Sequence, residues 1–477
     1  MAEAKQQMKT RRILLPGIMA ACLSISSAAG TLNSIPVRSS LPTLSTAKSI
    51  LSATTRHREW VNIPVASASM LAFLVYPERT DTAPSVLVTF ENETASVLAR
   101  AVADQLAAEG FISIVPDTQN RLGLDAARAY VATMPAANGT TVHVALDFDH
   151  GGAIVGTSVW ELTAAAWPQV VGKLRRLTRN RQTAVQPAGT TIAGEHAMHL
   201  GHALTPVSAQ QAGGGTAQRM IPGLADKQAD LPASYYTATA TLARSKLKKE
   251  WVDIPVGDVK LHAWVEYPEG NDKTGVVIVM QHAVGLDDWT RSVADQLAQQ
   301  GFIAVAPDPW SGIGPNGGNR DSFEFDDDAM RAAARITPDE TIRRYKAARE
   351  WALKLPRANG KSGSIGFCAG GNNSFRFAGE LPDLNAAVVF YGVAPTEDLA
   401  AKINAPVLGF YGENDARVTA TVQPTLELMK KLGKSYEPHV YPKVTHSFVY
   451  FQDLGENRRA VADAWPRAIA FFNRYLR

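Results

Sequence analysis

The sequence predicts an α/β fold: a mostly parallel sheet with helices on both faces, preceded by a truncated, degenerate repeat of its own first half. Three observations predict it. Short β-branched runs, VVIVM at 276–280 and FIAVAPD at 302–308, have the length and composition of buried parallel strands. Stretches with helical spacing, such as 288–300, separate such runs, and this alternation covers a parallel sheet on both sides. Finally, residues 59–118 recur as 250–309, at a constant offset of 250 − 59 = 191. EWVNIPV and GFISIVPDT in the first copy become EWVDIPV and GFIAVAPDP in the second, with 25 identities in 60 ungapped pairs. An ungapped match of that length signals a duplication.

The segments follow in order. Residues 1–30 place Lys9, Arg11 and Arg12 before the apolar run ILLPGIMAACLSI and then SSAAG, the order of a secretory signal. The apolar run is short for a membrane span. Cys22 after Met19-Ala20-Ala21 roughly resembles a lipoprotein box, so a lipid anchor at Cys22 is an open expectation and the chain is expected to be exported. Residues 31–57 read as linker. Residues 58–160 read as a degenerate half-domain: MPAANG at 134–139 matches LPRANG at 355–360, but the offset has grown to 221, and Asp147 then stands in the place of Cys368. Residues 161–245 are rich in Ala, Thr, Gly and Gln and read as linker, with one helix near 161–180. This stretch holds His196, His199 and His202, for which a solvated stretch is the expectation over a metal site.

Residues 246–477 suffice for one full α/β domain. Thr337-Pro338 caps a helix running to about 355. GSIGF, AAVVFYG and APVLGFYG supply further strands, and a helix from about 457 to 475 closes the chain. The 477 residues carry a formal charge of only +3, which speaks against a general nucleic-acid footprint. With two cysteines in the chain, and Cys22 removed or lipidated, Cys368 is expected to be a free thiol.

Cys368 lies in SIGFCAGGN, a strand running into Gly366-Phe367-Cys368-Ala369-Gly370. This is the nucleophile-elbow pattern with cysteine in the serine position. The glycines let a strand and a helix pack closely, and the helix N-terminus favours a thiolate. Asp415 in YGENDARV follows a strand 47 residues later, with Glu413 as a rival acid, and His446 in KVTHSF comes 31 residues after that. The order nucleophile, acid, histidine is that of the α/β-hydrolase layout.

Residues 246–477 resemble the dienelactone hydrolase (carboxymethylenebutenolidase) family. The resemblance rests on GLDDWTRSVADQLAQQGFIAVAPD, GPNGG, LPRANGKSGSIGFCAGG, GFYGENDARV and THSF. It implies an α/β-hydrolase fold without metal or organic cofactor, acting on a small-molecule ester or lactone. It assigns Cys368 as nucleophile, His446 as base and Asp415 as its orienting acid, with the Ala369 and Ala283 amides as oxyanion donors. Two departures stand out. The family's glutamate near the resting cysteine is replaced by His282, expected to tune the thiol or only to pack beneath the elbow. The first copy has Glu91 at that position. An arginine that commonly binds a substrate carboxylate is replaced by Tyr450, making Tyr450 the substrate-binding candidate and dienelactone itself a doubtful substrate. The rival expectation is a non-catalytic exported module on a hydrolase fold. A redox role lacks a resolving cysteine, and GPNGGN lacks the lysine of a phosphate loop and reads as a lid over the site.

Overall fold

The computed structural model describes residues 41–90, 93–118, 120–148, 154–157, 167–182 and 231–477. The expectations placed on the signal segment, Cys22, Glu91 and the histidines at 196, 199 and 202 lie outside these residues.

In chain order the first part contains α1 (Leu44–Ala53), β1 (Arg58–Val65), β2 (Ala68–Val75), β3 (Ala83–Thr89), α2 (Glu93–Ala108), β4 (Ile112–Pro116), α3 (Arg121–Ala132), β5 (Ala137–Phe148), β6 (Ile154–Thr157) and α4 (Trp167–Gln182). The second contains α5 (Ala238–Arg244), β7 (Lys248–Val256), β8 (Val259–Tyr267), β9 (Thr274–Met280), α6 (Asp288–Gln299), β10 (Ile303–Pro307), α7 (Asp326–Ala333) and α8 (Pro338–Leu353). It continues with β11 (Ala358–Phe367), α9 (Ala369–Glu380), β12 (Ala386–Phe390), α10 (Glu397–Lys402), β13 (Val407–Asn414), α11 (Ala416–Lys431), β14 (Tyr436–Thr445) and α12 (Asn457–Leu476).

The second part forms an eight-stranded sheet in the order β14-β13-β12-β11-β9-β10-β8-β7. Six strands from β9 to β14 are parallel, and the β8–β7 hairpin adds an antiparallel edge. Strands such as β9 and β10 are buried along their whole length, as strands covered on both faces must be. One cover is the cluster containing Trp289, Phe302, Trp465 and Phe472; the other contains Tyr345, Phe375, Phe377 and Met429.

The first part forms a six-stranded sheet, β1-β2-β4-β3-β5-β6. Its first five strands follow the same order as β7-β8-β10-β9-β11. The registers coincide as well: Arg58 opposite Val75 becomes Lys249 opposite Glu266, and Ala83 opposite Ala137 becomes Thr274 opposite Ala358. Residues of the same type 191 positions apart make the same contacts. Tyr76 Oη donates to Glu59 Oε1 at 2.7 Å, and Tyr267 Oη to Glu250 Oε1 at 2.8 Å. Arg100 lies over the Trp60 ring at 5.2 Å, and Arg291 over Trp251 at 5.3 Å.

The two sheets dock through α7, which lies between β10 and β11. Asp327 accepts from Trp60 Nε1 at 3.3 Å and pairs with Arg100. Arg331 pairs with Asp117 at 2.6 Å, and Trp310, Phe325 and Met330 enter the apolar cluster of the first sheet. On the other side, Arg417 at the start of α11 pairs with Glu59 at 2.7 Å.

Both linker expectations need correction at their edges. Within 31–57, residues 44–53 form α1, whose Ala47 and Leu51 are buried against the first sheet's core. Within 161–245, the helix expected near 161–180 is α4, while residues 231–245 pack on the second sheet: Trp289 Nε1 donates to the Ala233 carbonyl at 3.0 Å. In both places a few buried apolar anchors sit in stretches of small polar residues, so composition alone reads as linker. The GPNGGN stretch, read as a lid, is pinned at its end: the Arg320 side chain donates to the Val284 carbonyl and pairs with Asp326.

A buried carboxyl gives the second sheet a pH dependence. Glu266 on β8 is fully buried, accepts from Trp264 Nε1 at 2.7 Å, and is pushed up to about 9 by burial and by the neighbouring Asp295 carboxylate. The folded chain therefore holds a proton that the unfolded chain releases near pH 4.5, and stability falls as pH rises from there towards 9. Glu266→Gln keeps the acceptor for Trp264 and removes this cost. It is expected to stabilise the protein by about 2–4 kcal/mol at pH 8 and by much less at pH 5, read from denaturant midpoints at the two pH values.

Candidate active site

The strand β11 ends at Phe367 and α9 starts at Ala369, leaving Cys368 alone at the turn with φ 54° and ψ −115°. A left-handed conformation at a non-glycine residue costs about 1–3 kcal/mol and persists where its surroundings enforce it. Here they do. The Cys368 amide donates to the Phe390 carbonyl at 3.0 Å, and the Cys368 carbonyl accepts from the Asn372 amide at 3.1 Å. The flanking glycines permit the close approach: a Cβ on Gly366 would meet the Gly370 carbonyl oxygen at 1.9 Å, and one on Gly370 would meet the Met280 carbonyl oxygen at 2.2 Å. Two more left-handed residues, Tyr391 and Ser447, follow β12 and β14 at the same end of the sheet.

Asp415 follows β13 and His446 follows β14, so both side chains come from the carboxyl end of the sheet that also carries Cys368. His446 Nδ1 is 2.5 Å from Asp415 Oδ2, and both are buried. The rival acid is engaged elsewhere: Glu413 Oε2 accepts from the Lys443 amide at 2.8 Å. Burial alone would push the imidazole of His446 down, but the Asp415 carboxylate and the Cys368 sulfur outweigh it and raise it to about 10. Burial likewise opposes ionisation of the Cys368 thiol, and the His446 and His57 imidazoles reverse that and hold it well below the usual thiol range.

The sulfur opens on a cavity of about 220 Å³ lined by His282, Ala283, Tyr235, Tyr450 and Ser447, among others. Ala283 follows the end of β9, and Ala369 is the first residue of α9 and lines an adjoining cavity with Ala283. His282 turns Nε2 to Asp287 Oδ2 at 3.1 Å and packs its ring against Tyr450 and Trp289. Tyr450 Oη donates to the same Asp287 oxygen at 3.4 Å. Burial pushes Asp287 up, but the His282 charge and hydrogen bond, with the Thr290 amide, hold it below the ordinary carboxylate range. His282 and Tyr450, tied together through Asp287, form one wall of the cavity.

The second imidazole on the sulfur comes from elsewhere. His57 Nδ1 is 3.6 Å from Cys368 Sγ, and its ring meets that of His446 edge-on at 4.0 Å between centroids. The sulfur and one nitrogen from each histidine lie within 4.8 Å of one another, all buried. The first part of the chain also lines the cavity with residues 52–58. None of these positions was a candidate in the sequence, where 311 residues separate His57 from Cys368.

The family model of the dienelactone hydrolase family matches residues 261–476. The chain is 27% identical over 235 residues to the "Putative carboxymethylenebutenolidase" of Salmonella typhimurium, covering 46% of this chain and 86% of that protein. It is 30% identical over 243 residues to "Protein usf" of Aquifex pyrophilus, covering 48% of this chain and 99% of that protein. Among solved structures, a dienelactone hydrolase from Anabaena variabilis is 22% identical with a TM-score of 0.40, covering 49% of this chain and all of that one. The chain belongs, through its C-terminal half, to the dienelactone hydrolase family, a family of carboxylic ester hydrolases. No helix among the described residues is long and apolar enough to cross a membrane.

Proposed function

We propose that the protein hydrolyses small esters or lactones through a cysteine acyl-enzyme, with Cys368 as nucleophile, His446 as proton carrier and Asp415 as its orienting acid. The observation that carries the reading is the buried 2.5 Å contact between His446 Nδ1 and Asp415, beside a sulfur held at the turn between β11 and α9. That contact leaves the other ring nitrogen of His446 for the thiol proton, which passes from sulfur to nitrogen. The thiolate attacks the carbonyl carbon; the oxyanion is taken up by the Ala369 and Ala283 amides, each worth roughly 3–4 kcal/mol in comparable sites. The C–O bond breaks, the alkoxide takes the proton from His446, and a thioester remains. Water, deprotonated by His446, cleaves the thioester and returns the thiol.

The cavity, at about 220 Å³, is smaller than the roughly 300–1,000 Å³ of sites for drug-sized ligands, which favours short acyl groups or small lactones. Esters and lactones should be turned over well ahead of amides, because a thiolate leaves more readily than an unprotonated amine. A panel of aryl esters, lactones and thioesters tests this with wild type and Cys368→Ala. Wild-type turnover, acyl transfer to Cys368 seen by mass spectrometry, and loss of both in the variant are expected. Full esterase activity in Cys368→Ala would refute the reading.

A further inference from the structure

We propose that His57, carried by the N-terminal half, is a second catalytic imidazole for Cys368, so that the two halves of the chain build one composite active site. The inference rests on Cys368 being the nucleophile.

The geometry is that of a built arrangement. The chain leaving α1 is pinned just before His57: Thr54 Oγ1 donates to Asp104 at 2.6 Å, and Arg56 grips the same carboxylate at 2.6 and 3.1 Å. The His57 carbonyl accepts from the Tyr76 amide at 2.9 Å, which extends the β1–β2 ladder by one pair. The side chain then points into the other half of the molecule and is 7% exposed. Its Nδ1 faces the sulfur at 3.6 Å, while Nε2 has no hydrogen bond and faces Glu59 Oε1 at 3.8 Å.

Glu59 is itself secured by Tyr76 Oη and by Arg417, the residue two positions after Asp415. Burial would raise the Glu59 carboxyl, but the Arg417 guanidinium and His57 keep it far below the ordinary range, so it is an anion. The thiol thus lies between two histidine–carboxylate arms: His446 with Asp415 from one half, His57 with Glu59 from the other. An imidazole placed between a thiolate and a carboxylate can donate to both when doubly protonated. His57 therefore stabilises the sulfur anion after His446 has taken the proton, and it does so without forming or breaking a bond to substrate. The titratable and charged groups facing the sulfur or the two arms are His446, Asp415, Glu78, Tyr391, His57, Glu59, Tyr76, Tyr130 and Arg417. At the position equivalent to His57, the second copy has Lys248, which is exposed. The histidine is a property of the first copy's place against the active site, not of the repeat.

The test is the pH dependence of Cys368 alkylation by iodoacetamide in the full chain, in buffer with a chelator and with Cys368→Ala as the labelling blank. His57→Ala is expected to raise the midpoint by about one pH unit, a roughly tenfold slower reaction on the acid limb. kcat/KM for an aryl ester should fall in parallel there. His57→Asn keeps an amide donor near the place of Nδ1 but has no charge, and its midpoint should lie between the two. If His57→Ala does not fold, His57→Asn alone decides: a raised midpoint supports the proposal and a wild-type one overturns it. A wild-type midpoint in both folded variants overturns it as well. Full esterase activity in Cys368→Ala would instead sink the nucleophile reading, whereas an inactive Cys368→Ala with an unmoved His57→Ala midpoint sinks only the present inference.

Discussion

Asp415→Asn is expected to lower kcat/KM for an aryl ester by about 10³–10⁴-fold with the fold retained, because the amide presents a donor where His446 Nδ1 needs an acceptor. The replacement is nearly isosteric, so the loss comes from chemistry. With Asp415 neutral, the main force raising His446 is gone, and burial pushes its imidazole down. The thiol loses part of its stabilisation in the same step, since the His446 charge is the strongest influence holding it low. In the wild type, the thiolate–imidazolium pair exists between the lowered range of Cys368 and the raised range of His446, around 10. In Asp415→Asn that window should close from both sides, so a broad pH–rate plateau narrows to a bell. Steady-state kinetics from pH 5 to 10 read both effects. A loss below about tenfold, with the plateau intact, would remove Asp415 from the site and with it the triad.

The parts of this arrangement that were legible in the sequence are those whose cause is local. VVIVM, FIAVAPD and APVLGFYG are buried strands because a doubly covered sheet needs continuous β-branched or aromatic runs, and β9, β10 and β13 lie where those runs do. Thr337 caps α8 by accepting from the Glu340 amide at 3.2 Å, a contact implied by the Thr-Pro pair. The elbow was readable because Gly366 and Gly370 have steric work to do on either side of Cys368. The antiparallel strands β7 and β8 are half exposed and carry no such run. The role of the first copy was beyond reach for a different reason. Its register and contacts resemble those of the second, yet the contact that brings His57 to the sulfur joins residues 311 apart, and no local pattern records it. Only the shared residues hinted at it, through an altered use: Trp60 and Arg100 repeat Trp251 and Arg291, but they also close around Asp327 on α7. His282, singled out by comparison with the family motif, is held by Asp287, and the second imidazole beside the sulfur is His57.

Asp327→Ala should be the most damaging change at the junction between the halves, costing about 3–5 kcal/mol of stability in chemical denaturation. Asp327 is fully buried and bonded to Trp60 and Arg100; burial pushes its carboxyl above the ordinary range, against the pull of the Arg100 and Arg58 guanidiniums that face it. The Arg58 and Arg100 side chains are themselves almost wholly buried, and Arg58 Nε has no hydrogen-bond partner. Removing the carboxylate leaves two guanidinium charges out of water without their anion, and a buried unpaired charge is far more costly than a broken surface pair. The contrast is available in the same interface: Asp117→Ala removes the partner of Arg331, but that pair is 22% and 35% exposed and should cost about 0–1 kcal/mol. Arg58 adjoins His57, so loosening this junction should also displace the second imidazole. In the fraction of Asp327→Ala that remains folded, the alkylation midpoint of Cys368 should rise in the same direction as in His57→Ala, while Asp117→Ala stays at the wild-type value. A large stability loss with an unmoved midpoint would mean that His57 is held by the pins at Asp104 and Tyr76 alone, independently of how firmly α7 docks.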